Sequence, residues 1–212
     1  MTKIEIFSSY QDTGSCPANV SKVVFLDTTI FSNSGSGLDK VRNCFRDGKG
    51  PELIRELSDR HQVDYERFGQ RVAPLFYYCW EPRICDALKK VLDLTGAKIV
   101  LSSDLRFAFN QRDLKDLFKI HGFSEYYVDN IGQVIKNSET TKFFTNKYGA
   151  RVLHWRAWEI LEYLERCPQI KRYVVLDDMN LNPGLGDRFL HVPFDLNDKL
   201  VKEAINILQK DS

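Results

Sequence analysis

The sequence predicts an α/β domain built on a parallel sheet with helices on both faces. Three observations predict it. First, the runs Val-Val-Phe-Leu at 23–26, Ile-Val-Leu at 99–101 and Tyr-Val-Val-Leu at 173–176 are short, apolar and rich in β-branched residues, as strands covered on both sides are. Second, stretches with helical periodicity separate these runs, the alternation that a parallel sheet with crossover helices requires. Third, each run ends in small polar or acidic residues: Asp27-Thr28-Thr29, Ser102-Ser103 and Asp177-Asp178. Open parallel sheets bind ligands beyond the carboxyl ends of their strands.

The elements follow in order. Residues 1–20 are polar with Gly, Ser and Pro, and read as a lead-in. After the first strand, Ser-Asn-Ser-Gly-Ser-Gly at 32–37 reads as a flexible loop. From about 38 to 80 the pattern is helical, with Leu53, Ile54 and Leu57 on one face and the aromatics Phe76, Tyr77, Tyr78 and Trp80 near the end. This aromatic cluster reads as core before substrate platform. Ile84, Leu88, Val91 and Leu92 form a helix stripe closed by Gly96 as a C-cap. Leu114, Leu117 and Phe118 mark another helix, closed by Gly122. A further helix runs from Trp155 to about 164 and stops before Pro168. Arg188-Phe-Leu-His-Val192 reads as a short fourth strand, and 200–208 as a final amphipathic helix.

Composition narrows the function classes. The chain has 212 residues with 30 Lys and Arg against 29 Asp and Glu, a formal net charge of +1. That length supports one well-cored domain, taken here as 1–212. The near-zero charge argues against a general nucleic-acid binder, which needs a basic excess to release counterions. No apolar stretch approaches the length of a membrane span, and the N-terminus lacks the apolar region of a signal peptide. The expectation is a protein made in the cytoplasm, with signal-independent export left open. The five cysteines (Cys16, Cys44, Cys79, Cys85 and Cys167) are irregularly spaced without a CxxC. They read as free thiols in a reducing compartment. A catalytic Cys–His pair is the sharper alternative, with His61, His121, His154 and His191 as its possible bases.

The strand ends carry the chemistry. Neighbouring parallel strands lie ~4.8 Å apart, so Asp27, Ser102 and Asp177/Asp178 can meet at one tip. Carboxylates gathered there repel one another unless a cation intervenes, and Mg2+ with oxygen ligands is the natural solution. A carboxylate beside such an ion can attack phosphorus, forming an aspartyl-phosphate that water cleaves.

These residues resemble the motifs of the HAD (haloacid dehalogenase) superfamily: Val23-Val-Phe-Leu-Asp27-Thr-Thr29 its first, Ile99-Val-Leu-Ser102-Ser103 its second, Tyr173-Val-Val-Leu-Asp177-Asp178 its fourth. The subgroup they most resemble is the HAD domain associated with bacterial RNA-repair proteins, through Gly96-Ala-Lys-Ile-Val-Leu-Ser-Ser-Asp-Leu-Arg106, Arg156-x-x-Glu159-Ile160 and the late His191-Val192. The resemblance implies a Rossmann-like sheet with a small helical cap at about 33–80. It implies Asp27 as nucleophile, with Mg2+ held by Asp27, the Thr29 carbonyl and Asp178, and Asp177 as ligand or support. Ser102 would bind a phosphoryl oxygen. Arg156 is the chosen third-motif cation, with Arg151, Lys142 and Lys147 as rivals. Read as ordinary surface chemistry, Arg156 would pair instead with Glu159 three residues on, Arg106 would be a surface arginine, and His121, His154 and His191 structural.

One departure from the superfamily pattern matters. Most HAD phosphatases place an Asp two residues after the nucleophile as general acid and base; here Thr29 stands there. A hydroxyl is a poor general acid, so a phenolate leaving group, pKa ≈ 10, is favoured over an alkoxide. The interval between Asp27 and Ser102 has room only for a small cover, which leaves the site open to macromolecules. The expectation is therefore a Mg2+-dependent phosphatase acting on a phosphorylated macromolecule, a phosphotyrosine protein ahead of nucleic acid. The alternatives are a nucleic-acid end phosphatase of RNA-repair type and a catalytically weak HAD-fold binding module.

Overall fold

The computed structural model describes residues 10–11, 16–31, 36–150, 152 and 154–210. Its strands are β1 (Tyr10–Gln11), β2 (Lys22–Leu26), β3 (Lys98–Leu101), β4 (Tyr127–Asn130), β5 (Gln133–Val134), β6 (Arg172–Asp177) and β7 (Phe189–His191). The helices are α1 (Ser36–Arg46), α2 (Gly50–His61), α3 (Val72–Cys79), α4 (Pro82–Thr95), α5 (Leu105–Ala108), α6 (Gln111–Phe118), α7 (Ser138–Tyr148), α8 (Trp155–Arg166), α9 (Asn182–Leu185) and α10 (Asp198–Gln209).

Five strands form one sheet in the order β4-β3-β2-β6-β7, and every neighbouring pair is parallel. The alternation of side chains along each strand sends them to two separate cores. Val24, Leu26, Ile99, Leu101, Val174 and Leu176 pack against Ile84, Leu88, Val91, Val201 and Leu208 of α4 and α10. Val23, Phe25, Val100 and Val175 face Trp158, Ile160 and Tyr163 of α8 and Phe144 of α7. Residues i and i+2 share a face of a strand, so these continuous apolar runs serve both layers. The predicted sandwich of helices around a parallel sheet is the observed architecture.

Strand order reverses at β2. The chain leaves it toward β3 and β4, then returns to place β6 and β7 on its other side. Such a reversal opens a crevice at the carboxyl ends of the two central strands, here β2 and β6.

Local chemistry closes the predicted helices as expected. Gly96 ends α4 in the left-handed conformation at φ 68°, its N–H bonded to the Leu92 carbonyl. Pro82 opens α4, where its missing N–H costs nothing. Asn110, Asn137 and Asn197 cap α6, α7 and α10 through their side-chain oxygens. Between β2 and α4, the helices α1, α2 and α3 pack on one another. Gly37 is needed there: a Cβ would lie 2.8 Å from the Cys79 Cα, so only glycine lets α1 approach α3 so closely. The aromatic cluster is largely core, with Trp80 stacked on Phe31 at 4.1 Å and on His121 at 5.2 Å between ring centroids.

Several expectations need correction. Ser36 and Gly37 begin α1 rather than ending a loop; the remainder of that predicted loop, 32–35, lies outside the described residues, as does most of the lead-in. Strand β4 and helix α7 carry too mixed a pattern to be read from sequence. The largest correction concerns the thiols: Cys16 and Cys167 form a disulfide, while Cys44, Cys79 and Cys85 are free. The bridge ties the segment before β2 to the end of α8 across a sequence separation of 151. Cross-linking a long loop restricts the unfolded chain and contributes typically about 2–4 kcal/mol. Reduction, or Cys167→Ser, should therefore lower Tm by roughly 5–15 °C for a chain of this size. Scanning calorimetry with and without reductant measures this, and an unchanged Tm would show that the bridge does not constrain the fold.

Candidate active site at the strand tips

Sheet register assembles the site. Leu26 of β2 pairs with Leu101 of β3 on one side and Leu176 of β6 on the other. The next residue on each strand is Asp27, Ser102 and Asp177, so the three stand in one row. Two backbone hydrogen bonds continue the ladder through that row: the Asp27 N–H donates to the Leu176 carbonyl and the Ser102 N–H to the Leu26 carbonyl, each at 3.0 Å. Carboxylate oxygens of Asp27, Asp177 and Asp178 lie within 4.8 Å of one another.

Arg156, at the start of α8, enters this row from the side. Its guanidinium pairs with Asp27 Oδ2 and donates to Asp177 Oδ2 at 3.0 Å, with Asp104 at 3.4 Å. Arg156 is 4 % exposed, Asp27 2 % and Asp177 0 %, so the reading of Arg156 as a surface charge is corrected. Of its rivals, Lys142 is exposed, Lys147 is committed to Glu162 and Glu165, and Arg151 lies outside the described residues. Burial pushes the Asp177 carboxyl up to about 6, with Arg156 opposing the rise.

The other expected residues converge here too. Thr29 donates its backbone N–H to Asp27 Oδ1 at 3.0 Å, and its hydroxyl reaches Asp27 Oδ1 at 3.0 Å and Asp178 Oδ1 at 2.7 Å. Asp177 Oδ1 accepts from the Met179 N–H at 2.8 Å. Ser102 is fully buried, and its hydroxyl has no hydrogen-bond partner among the described residues. An unsatisfied buried hydroxyl costs about 1–3 kcal/mol, which a bound ligand oxygen would recover.

Beneath this row lies an ion pair that sequence reasoning missed. The side chains of Arg106 and Glu159 are both fully buried and meet at 2.7 Å. Arg106 also donates to the Ser102 carbonyl. The second oxygen of Glu159 accepts the Val134 N–H at 2.8 Å. Glu159 is thus not the surface partner of Arg156, and Arg106 is not a surface arginine. The sequence signal was the three-residue spacing of Arg156 and Glu159, which puts both on one helix face; here that face is buried. Burial raises the Glu159 carboxyl to about 7 against the pull of Arg106.

Three of the histidines bond backbone groups. His154 caps α8, its Nδ1 accepting the Arg156 N–H at 3.2 Å. His121 bonds the Phe76 carbonyl and His191 the Asp178 carbonyl, both at 2.8 Å. Burial raises the thiols of Cys79 and Cys85, the latter to about 12. Nucleophilic cysteines need the opposite shift, which these two lack.

The buried pair makes a stability prediction. Glu159→Ala takes the fully buried carboxylate from Arg106, whose contact with the exposed Asp104 is longer at 3.6 Å, a loss of about 3–5 kcal/mol. Arg106→Met combined with Glu159→Met should recover most of it. Denaturant unfolding of the single and double variants measures both, and a Glu159→Ala protein as stable as wild type would contradict the assignment.

Comparison with known proteins completes the description. The family model for the HAD domain in Swiss Army Knife RNA repair proteins matches residues 43–203. The match takes in Ser102, Arg106, Arg156, Glu159, Asp177 and Asp178, whereas Asp27 and Thr29 precede it and join the site through sheet register. No curated protein and no solved structure matches the chain. With most of its length matched and its acidic row at the switch point of a parallel sheet, the chain belongs to the family of HAD domains found in Swiss Army Knife RNA repair proteins.

Proposed function

We propose that this protein is a phosphomonoesterase that removes terminal phosphate from nucleic-acid ends through an aspartyl-phosphate on Asp27. The observation that carries this reading is the Asp27 carboxylate held between the Arg156 guanidinium and the Thr29 N–H, in one row with the Ser102 hydroxyl, which has no partner among the described residues. Family membership supports the phosphatase class, and the RNA-repair description of that family supports nucleic acid over the phosphoprotein that net charge favours. The helices of 36–79 act in this reading as the small cap.

The donor set fits a hard divalent cation. Among the described residues, three carboxylates within 4.8 Å of one another face a guanidinium that bonds two of them, an excess of negative charge. All the donors are oxygens, the ligand type of Mg2+. Asp27, Asp178 and the Thr29 carbonyl would hold it; Asp177, already tied to Arg156 and the Met179 N–H, would support them. When bound, Mg2+ supplies charge screening for an incoming phosphate dianion.

The residues then divide the work. Arg156 and Ser102 orient the phosphoryl oxygens, and the Arg156 guanidinium offsets their charge. The Asp27 carboxylate attacks phosphorus, the ester oxygen departs with the electron pair of its P–O bond, and an acyl phosphate forms. Water attacks the phosphorus of that acyl phosphate, releasing phosphate and restoring the carboxylate. Thr29 orients Asp27 but cannot donate a proton as a carboxylic acid would, so the rate depends on the leaving group. A ribose oxygen, activated by the electron-withdrawing sugar, leaves more easily than a simple alkoxide. The same limitation favours phosphotyrosine as a second reading, because a phenolate leaves more easily still.

Two outcomes test the proposal. Release of phosphate from end-phosphorylated oligoribonucleotides should require Mg2+ and fall below detection in Asp27→Asn, while circular dichroism stays native; full activity in that variant would contradict the mechanism. Faster turnover of a phosphotyrosine peptide would select the second reading. Separately, Thr29→Asp should raise kcat/KM for alkyl phosphates by about a hundredfold, the lower end of general-acid catalysis, and raise it less for aryl phosphates. An equal effect on both would contradict the role given to position 29.

A further inference from the structure

The residues between β2 and α4 do more than cover the site. A cavity of about 360 Å³ opens beside Thr28 and Thr29, walled by Leu38, Val72, Leu75, Phe76, Trp80 and Phe109. Its volume falls at the lower end of ligand pockets, about 300–1,000 Å³. It touches the acidic row at Thr29, whose hydroxyl bonds both Asp27 and Asp178. A phosphate ester seated on Asp27 would meet this cavity with the rest of its substrate. The walls are apolar and partly aromatic, which suits a flat ring and disfavours a charged or hydroxyl-rich group; Trp80 is already stacked on Phe31 and His121, so the half-buried Phe109 is the ring that can take a partner.

We infer that this cavity receives the base of the terminal nucleotide, unstacked from its neighbour and sandwiched between the walls of α3 and the Phe109 segment. The inference rests on the nucleic-acid reading of the site. Single-stranded ends are recognised in this way, with splayed bases stacked on aromatic side chains. The lining also says how the base is read. Its hydroxyls, on Thr28 and Thr29, are engaged with Ser103 and with Asp27 and Asp178. Cys79 adds a thiol to the lining, a weak hydrogen-bonding group, so the side chains offer stacking and shape in place of a base-edge code, and stacking tolerates any base. An enzyme that tidies broken ends of arbitrary sequence needs that tolerance.

The test compares oligoribonucleotides phosphorylated at the 5′ or 3′ end, with the terminal base present or removed. The expected result for the preferred end is a kcat/KM about tenfold or more higher with the base present, within the range that base–aromatic stacking supplies. The four bases should agree within a few-fold. Leu75→Trp, which fills the cavity, should collapse the advantage of the base-bearing end; Phe109→Ala should reduce it, and circular dichroism reports whether each variant is folded. Equal rates for base-bearing and abasic ends overturn the inference while the nucleic-acid reading stands. Turnover of a phosphotyrosine peptide with none of either oligonucleotide overturns both and assigns the cavity to a phenol ring. A preference for one base by more than about tenfold overturns the stacking account, because stacking alone does not discriminate so strongly.

Discussion

The contact on which the site depends is a buried guanidinium shared by two carboxylates. Sheet register sets Asp27 and Asp177 side by side on adjacent strand tips, both removed from water. Two such charges repel strongly at low dielectric, and without a cation the row would be untenable. Arg156 supplies the charge from the side while leaving Asp27 Oδ1 to the Thr29 N–H. A planar guanidinium suits this task because it stays charged when buried and forks between partners. The arrangement costs desolvation energy, so its persistence points to function before stability.

Helix α8 organises both halves of the site from one face. Arg156 reaches the tips of β2 and β6; one turn later, Glu159 reaches Arg106, which holds the carbonyl of Ser102 at the tip of β3. The helix is itself fixed at its start by the His154 cap, beneath by Trp158, Ile160 and Tyr163, and at its end by the Cys16–Cys167 bridge. Asp27, Arg156 and Ser102 are thereby coupled to a single helix. The acidic row sits on strand ends and one helix, while the helices between β2 and α4 form a separate packed group beside it.

Much of this was legible in the chain. The buried runs of β2, β3 and β6 announced a parallel sheet, and the polar residue closing each run named Asp27, Ser102, Asp177 and Asp178 before any geometry existed. Burial was harder to read. Arg106 and Glu159 are charged types that usually face water, and nothing in a periodic pattern says that two such residues will find each other inside. Strand β4 escaped notice because it is a short edge strand ending in Asp129 and Asn130, a composition shared with turns. The disulfide escaped because pairing depends on spatial proximity, which irregular cysteine spacing does not encode.

The central claim is that Asp27 carries the phosphoryl group. Its most direct measurement is chemical trapping: the protein is quenched during turnover of an end-phosphorylated oligoribonucleotide and treated with borohydride, which reduces an acyl phosphate to the alcohol, and the peptides are sequenced by mass spectrometry. The account predicts homoserine at position 27 and nowhere else, appearing only when substrate is present. Unmodified Asp27 under conditions of active turnover, or reduction at Asp177 or Asp178 instead, would contradict it.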